Sequence, residues 1–275
     1  STLDRSSAAS DVYKRQLRDQ VRAMVSKLKH IGINPSDRVA IVLSNAPETI
    51  ISFLAAASAA TAAPLNPAYK KEEFQFYLND TGAKAIITNE QIGEAAVAAA
   101  TDTTITINIQ LDPDGIAKLD PTSSEVPPNT TESTPRNTDD VALILHTSGT
   151  TSRPKRVPLT HEKLVASVEH IVDTYKLSKD DVSLCVMPLF HVHGLVASTL
   201  STLASGGTII VPPRFNALNF WRLIREHGVT WFTAVPTMHQ ALLARARASQ
   251  ANTSETEGHS TLRFIRSCSA PLAAT

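Results

Sequence analysis

The sequence predicts an α/β protein built around largely parallel sheet, on three observations. Short apolar runs without polar alternation, Arg38–Ser44 (RVAIVLS) and Val141–His146 (VALILH), read as strands covered on both faces. Segments of helical period alternate with such strands along the chain. A hydroxyl-rich loop follows directly on VALILH, at a strand end, where α/β folds place their ligand loops.

The elements follow in order. Leu17, Val21, Met24, Val25, Leu28 and Ile31 recur at helical spacing, and Gly32 stops that helix. Asn34–Asp37 is a turn before the RVAIVLS strand. Pro47 sits in the first turn of a helix that runs to about Ala60, and residues 63–67 are extended. A helix is expected over Glu72–Asp80, broken by Gly82, then a strand at Ala85–Thr88. Residues 112–140 are rich in Pro, Thr, Ser and Asp and read as a linker-like loop between a first α/β subdomain, 17–111, and a second, 141–275. In the second, helices are expected at about Thr160–Tyr175, Leu195–Ala204, Ala217–His227 and Thr237–Arg247. Strands are expected at Ser183–Met187, Thr208–Val211, Trp231–Ala234 and Leu262–Ser267. Trp221 and Trp231 read as core. Residues 1–16 show no period that continues into the helix beginning at Leu17. They read as a non-native or disordered segment, the alternative being a native helix start.

Composition narrows the function. Lys plus Arg and Asp plus Glu both number 26, so no net charge recruits nucleic acid. Two cysteines, Cys185 and Cys268, without metal-ligand spacing exclude a disulfide scaffold and a zinc module. No apolar run reaches the roughly 18–20 residues that span a bilayer. Thr49–Leu65, broken by Ser52, Ser58 and Thr61, reads as a buried helix running into a strand.

The chemistry concentrates in His146–Lys155 (HTSGTTSRPK). Thr147, Ser148, Thr150, Thr151 and Ser152 carry hydroxyls, Gly149 allows a tight turn, and Arg153 and Lys155 are cationic. Hydroxyls and backbone N–H groups in a turn can surround phosphate oxygens while a lysine offsets their charge. The bland alternative is a surface Ser/Thr turn. The spacing of a Walker A loop is missing, and no GxGxxG occurs. His191 and His193 alternate in PLFHVHG, and in an extended chain both imidazoles would face one side. No third ligand accompanies them, so no metal is assigned. Core or helix-capping histidines are the alternative. Ser267, Cys268, Ser269 and Ala270 follow the last strand, and a plain strand-to-loop turn is the alternative there.

The segment TSGTTSRPK resembles the phosphate-binding signature of the AMP-forming acyl-adenylate synthetases, TSGTTGxPK. DRVAIVLSN, APLNPAY, PLFHVHG and SCSAPL fall in the order seen in that superfamily, and among its members the chain is most similar to oxalate–CoA ligases. The resemblance runs from Leu17 to Thr275. It implies two stacked α/β subdomains with mostly parallel sheets, an incomplete large N-terminal domain. It also implies a reaction in which a carboxylate attacks the α-phosphate of Mg2+–ATP, pyrophosphate leaves, and coenzyme A releases AMP from the acyl-adenylate. By resemblance, Thr147, Ser148, Gly149, Thr150, Thr151 and Lys155 bind ATP phosphates. His191 is catalytic, and His193, Ser267, Ser269 and Ala270 line the site of a small carboxylic acid. Small hydroxyl residues suit a small polar acid such as oxalate, whereas a fatty acid wants an apolar tunnel. An amino acid or fatty acid, or a nucleotide-binding role without turnover, is the alternative. Two positions depart from the signature: Ser152 replaces a glycine, and Arg156 stands where glycine is common. The later motifs for adenine, ribose and the C-terminal lysine do not occur, so this polypeptide alone is expected not to complete adenylation. The resemblance implies a cytoplasmic or peroxisomal setting and leaves the oligomeric state open.

Overall fold

A computed structural model describes residues 2–112, 114–121, 136–147, 154–249 and 261–271, with side chains from residue 14 onward except at 121 and 249. The chain divides into two compact units, Ser1–Leu164 and Val165–Thr275.

The first unit contains α1 (Thr2–His30), β1 (Arg38–Ile41), α2 (Pro47–Ala59), β2 (Thr61–Pro64), α3 (Lys71–Thr81), β3 (Ala85–Thr88), α4 (Glu94–Val97), β4 (Ile105–Leu111), β5 (Ala117–Pro121), β6 (Val141–Thr147) and β7 (Lys155–Thr160). Its sheet has the order β5-β4-β3-β1-β2-β6-β7. The five inner strands pair in parallel, while β5 and β7 run antiparallel at the two edges. Parallel pairing requires crossover connections, which α2 and α3 supply, and leaves β2 and β3 buried at every residue. Gly82 ends α3 in the left-handed conformation, φ 63°, which a residue with a Cβ adopts only under strain.

Three expectations do not hold. Helix α1 begins at Thr2 and so runs through residues 2–16, where the sequence shows no helical period. Residues 112–140 are not only linker, because Ala117–Pro121 pairs with β4 as an edge strand. Five residues with one polar face show too little period to be seen in sequence. The strand VALILH does not open a second subdomain: it pairs with β2, far back in the chain, so the division falls inside the following helix. Residues 122–135 of the expected linker lie outside the described residues.

The helix α5 (His161–Tyr175) leads into the second unit. This holds β8 (Val182–Leu184), a π-helix (His193–Leu200), α6 (Ser201–Ala204), β9 (Thr208–Ile210), α7 (Phe220–Glu226), β10 (Trp231–Ala234), α8 (Pro236–Ser249) and β11 (Phe264–Ser267). The sheet order is β11-β10-β8-β9, all parallel. Phe220, Ile224, Phe232 and Leu242 pack in one core cluster, and Trp231 is fully buried with its ring stacked on Phe264. Each such side chain stabilises the fold by about 1.5–3 kcal/mol. Buried Asp181 accepts hydrogen bonds from the Arg263 guanidinium at 2.9 Å and from the Thr230 hydroxyl at 2.8 Å, which ties the starts of β8, β10 and β11 together.

The segment expected as an α-helix over 195–204 begins earlier, as a π-helix. The hydroxyl of Thr199 donates to the carbonyl of Gly194 at 2.9 Å, and that of Thr202 donates to Ser198 at 2.6 Å. π-Helical turns are rare and concentrate at functional sites. Over two turns an apolar pattern does not separate the wider helix from the ordinary one.

Candidate functional site

In the first unit, β6 and β7 form an antiparallel hairpin in which Thr147 pairs with Lys155 and His146 with Arg156. Sequence pattern does not show β7, whose residues read as loop. The hydroxyl-rich segment is therefore the hairpin's connection, and Thr147 and Lys155 stand at its neck. Directly opposed residues in such a pair project to one face, so a hydroxyl and an ammonium stand side by side, both exposed. Ser148, Gly149, Thr150 and Thr151, together with Ser152 and Arg153, lie outside the described residues.

The neck is anchored from below. His146 Nε2 lies 3.0 Å from a carboxylate oxygen of Asp80, near the end of α3, and Arg156 donates to the Asp80 carbonyl at 2.6 Å. A cation is favoured at the negative end of a helix. Tyr77 packs edge-on against the His146 ring and stacks on Tyr69 at 4.7 Å. Arg156, a departure from the family signature, thus has a structural role, since it ties β7 to α3. Sequence reasoning missed Asp80 because its partners are 66 and 76 positions away.

In the second unit, the two histidines part company. The chain at 192 is already helical, so the imidazoles do not share a side as an extended segment would require. His191 is exposed, with Phe190 tilted against its ring at 4.6 Å, and partial desolvation lowers its pKa. His193 is only 6% exposed. Its Nε2 lies 2.6 Å from Thr233 Oγ1 on β10, and its Nδ1 lies 3.4 Å from Ser269 Oγ. Arg266 on β11 donates to Thr233 Oγ1 at 3.4 Å. Ser269 is exposed and has φ 75°, a left-handed conformation that serine seldom adopts and that clusters at functional sites. Ser267 is partly buried with an Oγ that has no hydrogen-bond partner among the described residues, and Ala270 is exposed beyond it. The structure therefore brings His193 and Ser269 together. It adds Thr233 and Arg266, which carried no motif and emerge only from the β10–β11 register.

Burial, Arg266 and the neighbouring His191 and His239 push the His193 pKa down to about 4 from 6.5. Between those values the unfolded chain holds the proton and the folded chain does not. Stability conferred by neutral His193 is therefore complete above about pH 6.5 and falls as pH drops toward 4, by at most about 1.4 kcal/mol per unit. The wild type is expected to lose more stability than His193→Gln between about pH 7 and about pH 5 in urea melts. Equal losses would contradict the assignment.

Among the described residues no group of three or more His, Cys, Asp or Glu could hold a metal ion. Cys185 is fully buried, which raises its pKa and makes it inert.

A model of the AMP-binding enzyme family matches residues 12–275. An oxalate–CoA ligase of Arabidopsis thaliana is 44% identical over 264 residues, which cover 94% of this chain and 50% of that protein. An oxalate–CoA ligase of Saccharomyces cerevisiae is 39% identical over 266 residues, covering 86% and 47%. The crystal structure of ATP-bound MatB from Rhodopseudomonas palustris matches with a TM-score of 0.73 at 27% identity, over 93% of this chain and 49% of that one. The chain thus spans about half the length of the curated relatives it matches. With a match of that extent, the chain belongs to the family of AMP-binding enzymes.

Proposed function

We propose that the protein carrying this chain is an ATP-dependent, AMP-forming carboxylate–CoA ligase that acts on oxalate or another small acid. The observation that carries this reading is the register that sets Thr147 opposite Lys155 at the neck of a hydroxyl-rich loop. A relative of the same fold was solved with ATP bound, which supports placing the nucleotide phosphates here. Thr147, Ser148, Gly149, Thr150 and Thr151 supply hydroxyl and amide donors, and Lys155 supplies charge. Negative charge builds on the phosphate oxygens as the carboxylate attacks, and hydroxyl, amide and ammonium donors stabilise it.

The acid is assigned to the second unit. His191 is the exposed imidazole of the pair and takes the catalytic role. Ser269, backed by His193, is the polar contact, and Ser267 and Ala270 are assigned beside it. Small residues and hydroxyls suit a short polar acid, which the two oxalate–CoA ligases among the relatives also support. Coenzyme A is the acceptor. Mg2+ would be expected with ATP, but the described residues offer no ligand set for it, so no residue is assigned to it and no step runs through it.

Parallel pyrophosphate-release assays on the protein at its relatives' length, with oxalate, acetate, a medium-chain acid and an amino acid, test the reading. Release is expected to be greatest with oxalate. A preference for the medium-chain or amino acid would replace the substrate, and no acid-dependent release at all would leave a nucleotide-binding protein without turnover.

A further inference from the structure

We propose that Thr233 and Arg266 are positioning residues that fix the tautomer of His193 and so turn the hydroxyl hydrogen of Ser269 outward, toward an acid with a second carboxylate group to receive it. This rests on the reading of Ser269 as the acid contact. The direction of each hydrogen bond follows from what each group can do. A guanidinium only donates, so Thr233 Oγ1 accepts from Arg266. Thr233 is fully buried, and the described acceptor within reach of its own hydrogen is His193 Nε2 at 2.6 Å. That nitrogen is then bare, and a neutral imidazole carries its proton on Nδ1. Nδ1–H donates to Ser269 Oγ, which leaves the serine hydrogen to point elsewhere. The other described contact of that hydroxyl is the Cys268 sulfur at 3.8 Å, a weak acceptor. The opposite tautomer would make Nε2 a donor to Thr233 and strand the buried threonine hydrogen.

The upstream end of this chain is held firmly. Thr233 and Arg266 are register partners of adjacent parallel strands. The Arg266 guanidinium lies 5.7 Å from the centre of the Tyr175 ring, and its carbonyl oxygen is 3.1 Å from His239 Nε2. Arg266 and the titratable side chains of His191 and His239 face His193, and together with burial they lower its pKa and favour the neutral imidazole that this tautomer requires. A relay of bonds that all run one way polarises its members cooperatively. It offers the ligand a donor and no full charge. A carboxylate oxygen accepts from it, while the alkyl end of a monocarboxylate leaves the hydroxyl unsatisfied.

Long-range 1H–15N correlation of the histidine side chains in the 15N-labelled 275-residue chain at neutral pH tests the tautomer without any substrate. His193 is assigned by its absence in His193→Gln. A pyridine-like Nε2 and a pyrrole-like Nδ1 are expected. A protonated Nε2, or averaging between tautomers, would overturn the proposal. Thr233→Val and Arg266→Met are expected to shift the ring toward protonated Nε2, and Thr233→Ser to keep the wild-type pattern. If Thr233→Val does not fold, the wild-type spectrum and Arg266→Met still decide. In the protein at its relatives' length, the oxalate-to-acetate ratio of kcat/KM is expected to fall about tenfold in Thr233→Val and to be kept in Thr233→Ser. An unchanged ratio would refute the link to the acid. If no acid is turned over, the acid-site reading fails and the spectrum alone decides the tautomer.

Discussion

Replacing Lys155 with Ala is expected to weaken ATP binding by about ten- to a hundredfold while leaving the melting temperature almost unchanged. The size follows from the loss of one charge-assisted hydrogen bond to a phosphate oxygen, about 1.5–3 kcal/mol. The selectivity for binding over stability follows from where Lys155 sits. It is the exposed first residue of an edge strand, and its register partner is the equally exposed Thr147. Arg156, one position on, is the contrasting control. It donates to the Asp80 carbonyl, so Arg156→Ala should loosen the hairpin's attachment to α3 and lower stability as well as affinity. Calorimetric titration with ATP beside thermal melts separates the two. Unaltered ATP affinity in Lys155→Ala would remove the hairpin from the phosphate site.

Gly194→Ala is expected to damage fold and site together. A Cβ added there would lie 2.3 Å from the Pro188 carbonyl oxygen and 2.7 Å from that of Met187. Both are backbone atoms, which cannot swing aside as a side chain can. The turn must shift, and with it His193, the adjacent residue. Overpacking of this kind costs about 2–3 kcal/mol, or roughly 5–10 °C of melting temperature in a protein of this size. Gly228→Ala is the comparison. Its Cβ meets nothing within 4 Å, and only the left-handed backbone, φ +58°, is strained. A loss of about 1 kcal/mol is expected there. Equal melting temperatures for Gly194→Ala and the wild type would contradict the close approach at Pro188.

What the sequence made legible was whatever is written in local pattern. The strand Ala85–Thr88 lies where its apolar run placed it, and α3 ends at Gly82 because a left-handed cap favours glycine. The loop motif was visible as chemistry, but not as a hairpin. β7 reads KRVPLT, with a proline and two cations, and owes its strand form to β6 alone. Tertiary pairing of that kind leaves no period to detect. His193 was found by motif and then misplaced, because the extended geometry assumed for PLFHVHG gives way to a helix. Thr233 and Arg266 were invisible. Each is an ordinary strand residue until β10 and β11 align and set one beside the other.

The fate of the acid's own oxygen decides whether an acyl-adenylate forms. With oxalate labelled with 18O, and ATP and coenzyme A unlabelled, the protein at its relatives' length would be allowed to turn over and its AMP analysed by mass spectrometry. Attack of a carboxylate oxygen on the α-phosphate, followed by thiol attack at the acyl carbon, leaves that oxygen on the nucleotide. AMP carrying a single 18O is the predicted result. Unlabelled AMP, or label found in inorganic phosphate beside ADP, would contradict it.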